Sequence, residues 1–149
     1  VKQVKTGDPV GYSGRWTAKR NSLIGIVPVG YAAGYPMGVG EEEGHEGASV
    51  CVLDEDTGTR IGDATVIGSV CMDQIAIDVT DIPNVGVGSD VELISSNPAS
   101  RASLQNIAIA AGVVPHAIIS RISPNVPRTY KTSQPNITVN SLASKTKCV

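Results

Sequence analysis

A chain of 149 residues suits one domain with a real core, since folding at this size buries roughly 70% of the unfolded surface. Its net charge of -2 comes without a basic block, which excludes nucleic acid or an anionic membrane as the main partner. No apolar run approaches the ~20 residues that cross a bilayer as a helix. Phe is absent, with one Trp and four Tyr, so Val, Ile, Leu and Ala must form the core. Of these, Val and Ile are stiff at χ1 and favour strands.

Cys51, Cys71 and Cys148 carry no CxxC or Cys/His metal spacing. An odd number of thiols without a secretory signal points to a reducing cytoplasm. The chain begins at Val1 rather than Met, as a piece of a longer polypeptide or a processed product would.

In chain order, Thr6-Gly7-Asp8-Pro9 is a turn signal within Val4 to Tyr12. Leu23 to Val29 is an apolar run fit for a buried strand, and Ala48 to Leu53 is another. Asp54 to Gly58 reads as the following turn. Ala64 to Val70 is a further strand, and Gln74 to Val79 alternates as a half-buried one. Asp90 to Ile94 gives one more. The Gly-rich stretch Tyr35 to Gly47, with Glu41, Glu42 and Glu43, reads as an exposed, solvated loop.

Ser100 or Ser103 can cap a helix carrying Leu104, Ile107, Ala108 and Ala111, stopped by Gly112. Pro115 opens a second helix that ends before Pro124. After Tyr130 the residues turn polar and aperiodic, so the domain spans 1–130 and a polar tail 131–149. Strands at this spacing without intervening helices predict a mainly β fold, a small Greek-key β-barrel with short helices near the C-terminal end.

By residue type the chain is poor in catalytic equipment. It has two His, no Ser/His/Asp pattern, no P-loop and no paired His for a metal. The glycines of Gly38-Val39-Gly40 lack the strand–turn–helix setting of a phosphate loop.

Four segments, in order and at compatible spacings, nevertheless resemble alanine racemases. Gly11-Tyr12-Ser13-Gly14-Arg15-Trp16-Thr17-Ala18 is similar to the family's Gly-Tyr-Gly-x-x-Tyr-x-Ala. Ile26-Val27-Pro28-Val29-Gly30-Tyr31-Ala32-Ala33-Gly34-Tyr35-Pro36 resembles its Ile-Pro-Val-Gly-Tyr-Ala-Asp-Gly-Tyr-Pro. Gly68-Ser69-Val70-Cys71-Met72-Asp73-Gln74 resembles Gly-Arg-Val-x-Met-Asp-Gln. Ile119-Ser120-Arg121-Ile122 with Val126-Pro127-Arg128-Thr129-Tyr130 resembles the segment where the family ends.

The resemblance covers the chain's first 130 residues and implies a C-terminal β-domain. A separate N-terminal α/β barrel would hold pyridoxal 5′-phosphate on a lysine, and the site would be shared across a homodimer. In that arrangement Tyr12 is the base on one face of the substrate and the barrel lysine the base on the other. A free Tyr has a pKa near 10, so poising it near 7 takes about 4 kcal/mol of help from the partner barrel.

The resemblance further places Met72, through its backbone N–H, and Asp73 at the substrate carboxylate, and Tyr31 on the substrate's approach. Arg128 falls near the access channel. His116 stands where the family has a tyrosine beside the cofactor phosphate, and an imidazole there can still donate to it. Ala33 replaces an aspartate, Trp16 a tyrosine and Ser13 a glycine. These departures leave serine or a broader substrate range open, as well as a diverged, non-catalytic β-domain for binding or dimerisation. The product implied is D-alanine for peptidoglycan.

Overall fold

A computed structural model of the chain describes residues 1–130. The tail expected over 131–149 lies outside the described residues.

The strands are β1 (Lys2–Val4), β2 (Pro9–Val10), β3 (Trp16–Thr17), β4 (Ser22–Val27), β5 (Ser49–Leu53), β6 (Arg60–Ile67), β7 (Ile75–Asp78) and β8 (Asp90–Glu92). Two helices follow, α1 (Leu104–Ala110) and α2 (Pro115–Arg121). Six strands form one antiparallel sheet in the order β1-β4-β7-β6-β5-β8, and β2 pairs with β3 beside it. Within it β5, β6 and β7 run as a meander and β4 returns beside β7, which is Greek-key ordering.

The expected barrel closure is not there: β1 and β8 are the two edges and do not pair. A sheet closes on itself to bury one face and remove its edges. Here both faces are already covered. Val27, Val50, Val52, Val66, Ile75 and Ile77 pack on one side with Ile107, Ala108 and Ile118 of the helices. Ile24, Ile67 and Ala76 pack on the other with Val4, Trp16 and Ala18. The alternation of β4, β6 and β7 sends neighbouring residues to these two clusters.

This second cluster corrects the reading of Gln74 to Val79 as half-buried. Ile75, Ala76 and Ile77 are all buried, because the β2–β3 hairpin lies over the face expected to meet water. The strand expected at Ala64 to Val70 begins earlier and ends sooner. Arg60 and Asp63 pair with each other at its start, and Gly68, at a φ of 62°, turns the chain after Ile67.

The stretch Tyr35 to Gly47 is also more than a solvated loop. Tyr35 and Val39 are buried, Met37–Val39 form a 3-10 turn, and Ala48 N donates to Val39 O at 2.7 Å. Glu41 pairs with Lys19 at 3.0 Å and Glu42 with Arg15 at 3.1 Å. Such exposed pairs contribute about 0–1 kcal/mol each, so the buried Tyr35 and Val39 do more to hold the stretch down.

Local signals elsewhere hold. The Asp54 carboxylate accepts from Thr57 N and Thr57 Oγ1 at 2.8 Å in the turn after β5. These bonds lower its pKa, so the turn's support is present above the ordinary carboxylate range and is lost as pH falls through the lowered value. Ser103 caps α1 by accepting from Asn106 N at 3.3 Å, and Pro115 opens α2.

Ile77 is fully buried on the central strand. Ile77→Ala is expected to cost about 2–5 kcal/mol, read as a lower urea midpoint at unchanged m.

Candidate active site

The loop Gly68–Gln74, between β6 and β7, gathers the motif segments. Cys71 N donates to Gln74 O at 3.0 Å, which closes the loop on itself. The carbonyls of Cys71 and Met72 then accept from Tyr31 N at 3.1 Å and Ala32 N at 3.0 Å. Those amides belong to the first turn of the 3-10 segment Tyr31–Ala33, whose N–H groups have no partner within the turn itself.

Only glycine permits that contact. A Cβ at Gly30 would stand 2.1 Å from Cys71 O and 2.4 Å from Met72 O. At the other end of the loop a Cβ at Gly11 would stand 3.6 Å from Ser69 N, so the backbone leading into Tyr12 lies on the same loop. The fourth segment docks on the second. Ser123 N donates to Ala33 O at 3.0 Å, and a Cβ at Gly34 would stand 2.2 Å from Arg121 O.

The structure therefore brings Tyr12, Tyr31, Met72 and Asp73 to one backbone assembly. Tyr12 lies in a short 3-10 turn and is 76% exposed, while Met72 is 55% and Tyr31 41% exposed. Among the described residues, the Tyr12 hydroxyl and the Met72 N–H make no hydrogen bond. Asp73 is exposed beside them.

His116 and Arg128 are carried separately, on α2 and on the segment after it. His116 is exposed in the first turn of α2. The Arg128 guanidinium donates to the carbonyls of Ile122 (3.3 Å), Ser123 (3.4 Å), Pro124 (3.3 Å) and Val126 (3.4 Å). It thus closes the turn after α2, a structural task that its place in the motif does not reveal.

Tyr35 is buried with no hydrogen-bond partner for its hydroxyl among the described residues, and burial raises its pKa. Burial likewise pushes the Cys51 thiol up, outweighing the hydrogen bond to Ser100 Oγ at 3.4 Å. Among the described residues no group of three or more His, Cys, Asp or Glu could hold a metal ion. Sequence reasoning named the tyrosines and Met72 but missed Gly30 and Gly34, which join the segments. The available signal was the pair of glycines inside one motif segment, Ile26 to Pro36.

The fold is a mainly β domain in which one loop carries the backbones of Tyr12, Tyr31 and Met72. Comparison with known proteins gives that class its family. The alanine racemase C-terminal domain family matches residues 1–130, and the chain belongs to it.

The chain is 38% identical to the alanine racemase of Halothermothrix orenii over 131 residues, covering 88% of this chain and 31% of that protein. It is similar to the solved biosynthetic alanine racemase of Pseudomonas aeruginosa at 34% identity and a TM-score of 0.71, covering 88% of this chain and 32% of the other. The alanine racemase of Bartonella henselae, solved with covalently bound pyridoxal phosphate, shares the fold at 24% identity and a TM-score of 0.64. That match covers 81% of this chain and 30% of the other. The chain thus spans about a third of the length of these relatives.

Gly30→Ala is expected to force Cys71 and Met72 away from Tyr31, at about 1–3 kcal/mol. Amide hydrogen exchange checks it: Tyr31 and Ala32 should exchange faster, while Ile75 to Asp78 stay protected.

Proposed function

We propose that this domain supplies the substrate side of a pyridoxal-phosphate-dependent alanine racemase, interconverting L- and D-alanine. The observation that carries this is the joining of Tyr12, Tyr31 and Met72 through one loop, with the Tyr12 hydroxyl and the Met72 N–H left open. Family membership gives the reaction class.

The group holds a phenol and a backbone donor but no amine. It fits the face of the cofactor where substrate lies, not the anchoring of the cofactor, which falls to an N-terminal barrel domain. When bound, the cofactor supplies the electron sink that makes an amino-acid α-proton removable.

Each residue has a defined task. The Tyr12 Oη takes or returns the α-proton on one face, and a lysine of the barrel serves the other; exchange between opposite faces inverts the centre. The Met72 N–H donates to the substrate carboxylate, which suits a fixed backbone donor. Asp73 stands beside it, and the Tyr31 ring borders the approach. His116 offers an imidazole toward the cofactor phosphate.

Tyr12 has no hydrogen-bond partner of its own among the described residues. The donors or cations that would poise it as a base come from a second subunit in a homodimer. In this reading the product D-alanine serves peptidoglycan, and the enzyme works in the cytoplasm.

The test is a racemase assay on the chain joined to an N-terminal barrel and loaded with pyridoxal 5′-phosphate. Turnover is expected only in the joined form. Tyr12→Phe is expected to lower kcat by about 10²–10⁴-fold or more, the range for a lost general base. Near-normal turnover in that variant would remove Tyr12 from the mechanism. An inactive joined enzyme would leave a non-catalytic domain.

A further inference from the structure

Tyr12 stands on a strained turn. Gly11, Ser13 and Gly14 all have positive φ, at 79°, 63° and 58°. Glycine adopts that region freely, but a serine there is uncommon and persists only where its surroundings hold it. The turn supplies little hold of its own. No residue of Tyr12–Gly14 is buried, and Gly14 N donates to Gly11 O at a long 3.3 Å. The strands beneath it, β2 and β3, are two residues each.

The turn is tied to the rest of the domain from two sides. On one side Gly11 lies against Ser69. On the other the Arg15 guanidinium pairs with the Glu42 carboxylate, its Nη1 standing 3.1 and 3.4 Å from the two oxygens. Glu42 is itself on firm backbone. Glu41 N donates to Val66 O at 2.8 Å and Gly68 N to Glu41 O at 2.9 Å, while Glu42 and His45 exchange backbone bonds at 3.2 and 3.1 Å. The ion pair therefore joins the Tyr12 turn to the end of β6, where the Met72 loop departs. Lys19 makes a similar pair with Glu41, but it lies beyond β3, where the buried Trp16 and Ala18 already hold the chain.

We propose that Arg15 and Glu42 form a clamp that holds the Tyr12 turn in register with the Met72 loop, which makes Arg15 a positioning residue for the proton transfer. This rests on the racemase reading for the role of Tyr12. Arg15 touches no reacting atom; it acts through where the Tyr12 hydroxyl stands. Losing it should therefore lower kcat, while substrate binding at the Met72 N–H and Tyr31 is spared. The pair is partly exposed, so added salt weakens it by screening.

The experiment measures steady-state kinetics in the full-length, cofactor-loaded racemase. Arg15→Gln and Glu42→Gln should each lower kcat about two- to fivefold, the scale of an exposed ion pair, with KM within about twofold. The double reversal, Arg15→Glu with Glu42→Arg, should restore most of what Arg15→Glu alone loses, a coupling that two independent structural residues would not show. Lys19→Gln, whose pair lies off the turn, should leave kcat unchanged. In parallel, NMR relaxation of the backbone amides is measured in the full 149-residue chain. Arg15→Gln should lower the order of Tyr12 and Ser13 and leave Thr17 and Ala18 as they are.

In an active enzyme the proposal needs both results. An unchanged kcat, a rise in KM in its place, a loss that the reversal leaves standing, an equal loss in Lys19→Gln, or a turn that stays ordered overturns it. If the joined enzyme is inactive but the turn loosens in Arg15→Gln, the clamp stands and the racemase reading falls. An ordered turn in an inactive enzyme overturns both.

Discussion

Two carbonyls, those of Cys71 and Met72, meet two amides, those of Tyr31 and Ala32, across a gap that holds Gly30 and no larger residue. Each such bond contributes only about 0.5–1.5 kcal/mol net, yet the pair decides where the functional groups stand. The Met72 carbonyl is engaged, while its N–H makes no hydrogen bond among the described residues. The pair of bonds fixes the backbone of Tyr31 against the same loop. Since Gly11 packs on Ser69 of the same loop, the backbone of Tyr12 is referred to the same frame.

The sheet exists to hold that frame still. The loop leaves β6 at Gly68 and enters β7 at Ile75, two strands in the middle of the sheet with apolar packing on both faces. A loop anchored at both ends in such a core has little freedom to shift. The site groups are therefore exposed but not loose. That combination suits the role proposed for the domain, since preorganised groups lose less on docking.

Much of this architecture was legible in the sequence, and the reasons for the rest are physical. The runs Leu23 to Val29 and Ala48 to Leu53, the Asp54 turn, the Ser103 cap and the Pro115 helix start all rest on short-range chemistry. Barrel closure depends on whether β1 and β8 pair, and no local signal reports that. The burial of Ala76, Tyr35 and Val39 depends on what folds over them. Tyr12 and Met72 were visible only as motif members, because an exposed tyrosine carries no local signature of chemistry. Arg121 and Arg128 look alike in sequence, and only the carbonyls around Arg128 tell them apart.

The most direct test of the gathered site is a set of nuclear Overhauser contacts in the isotopically labelled chain. The account predicts cross-peaks from Gly30 Hα to the Cys71–Met72 segment and from Gly11 Hα to the Ser69 amide, alongside the normal contacts of β4 with β7. A folded sheet that lacks either set would contradict it, because Tyr12, Tyr31 and Met72 would then share no common frame.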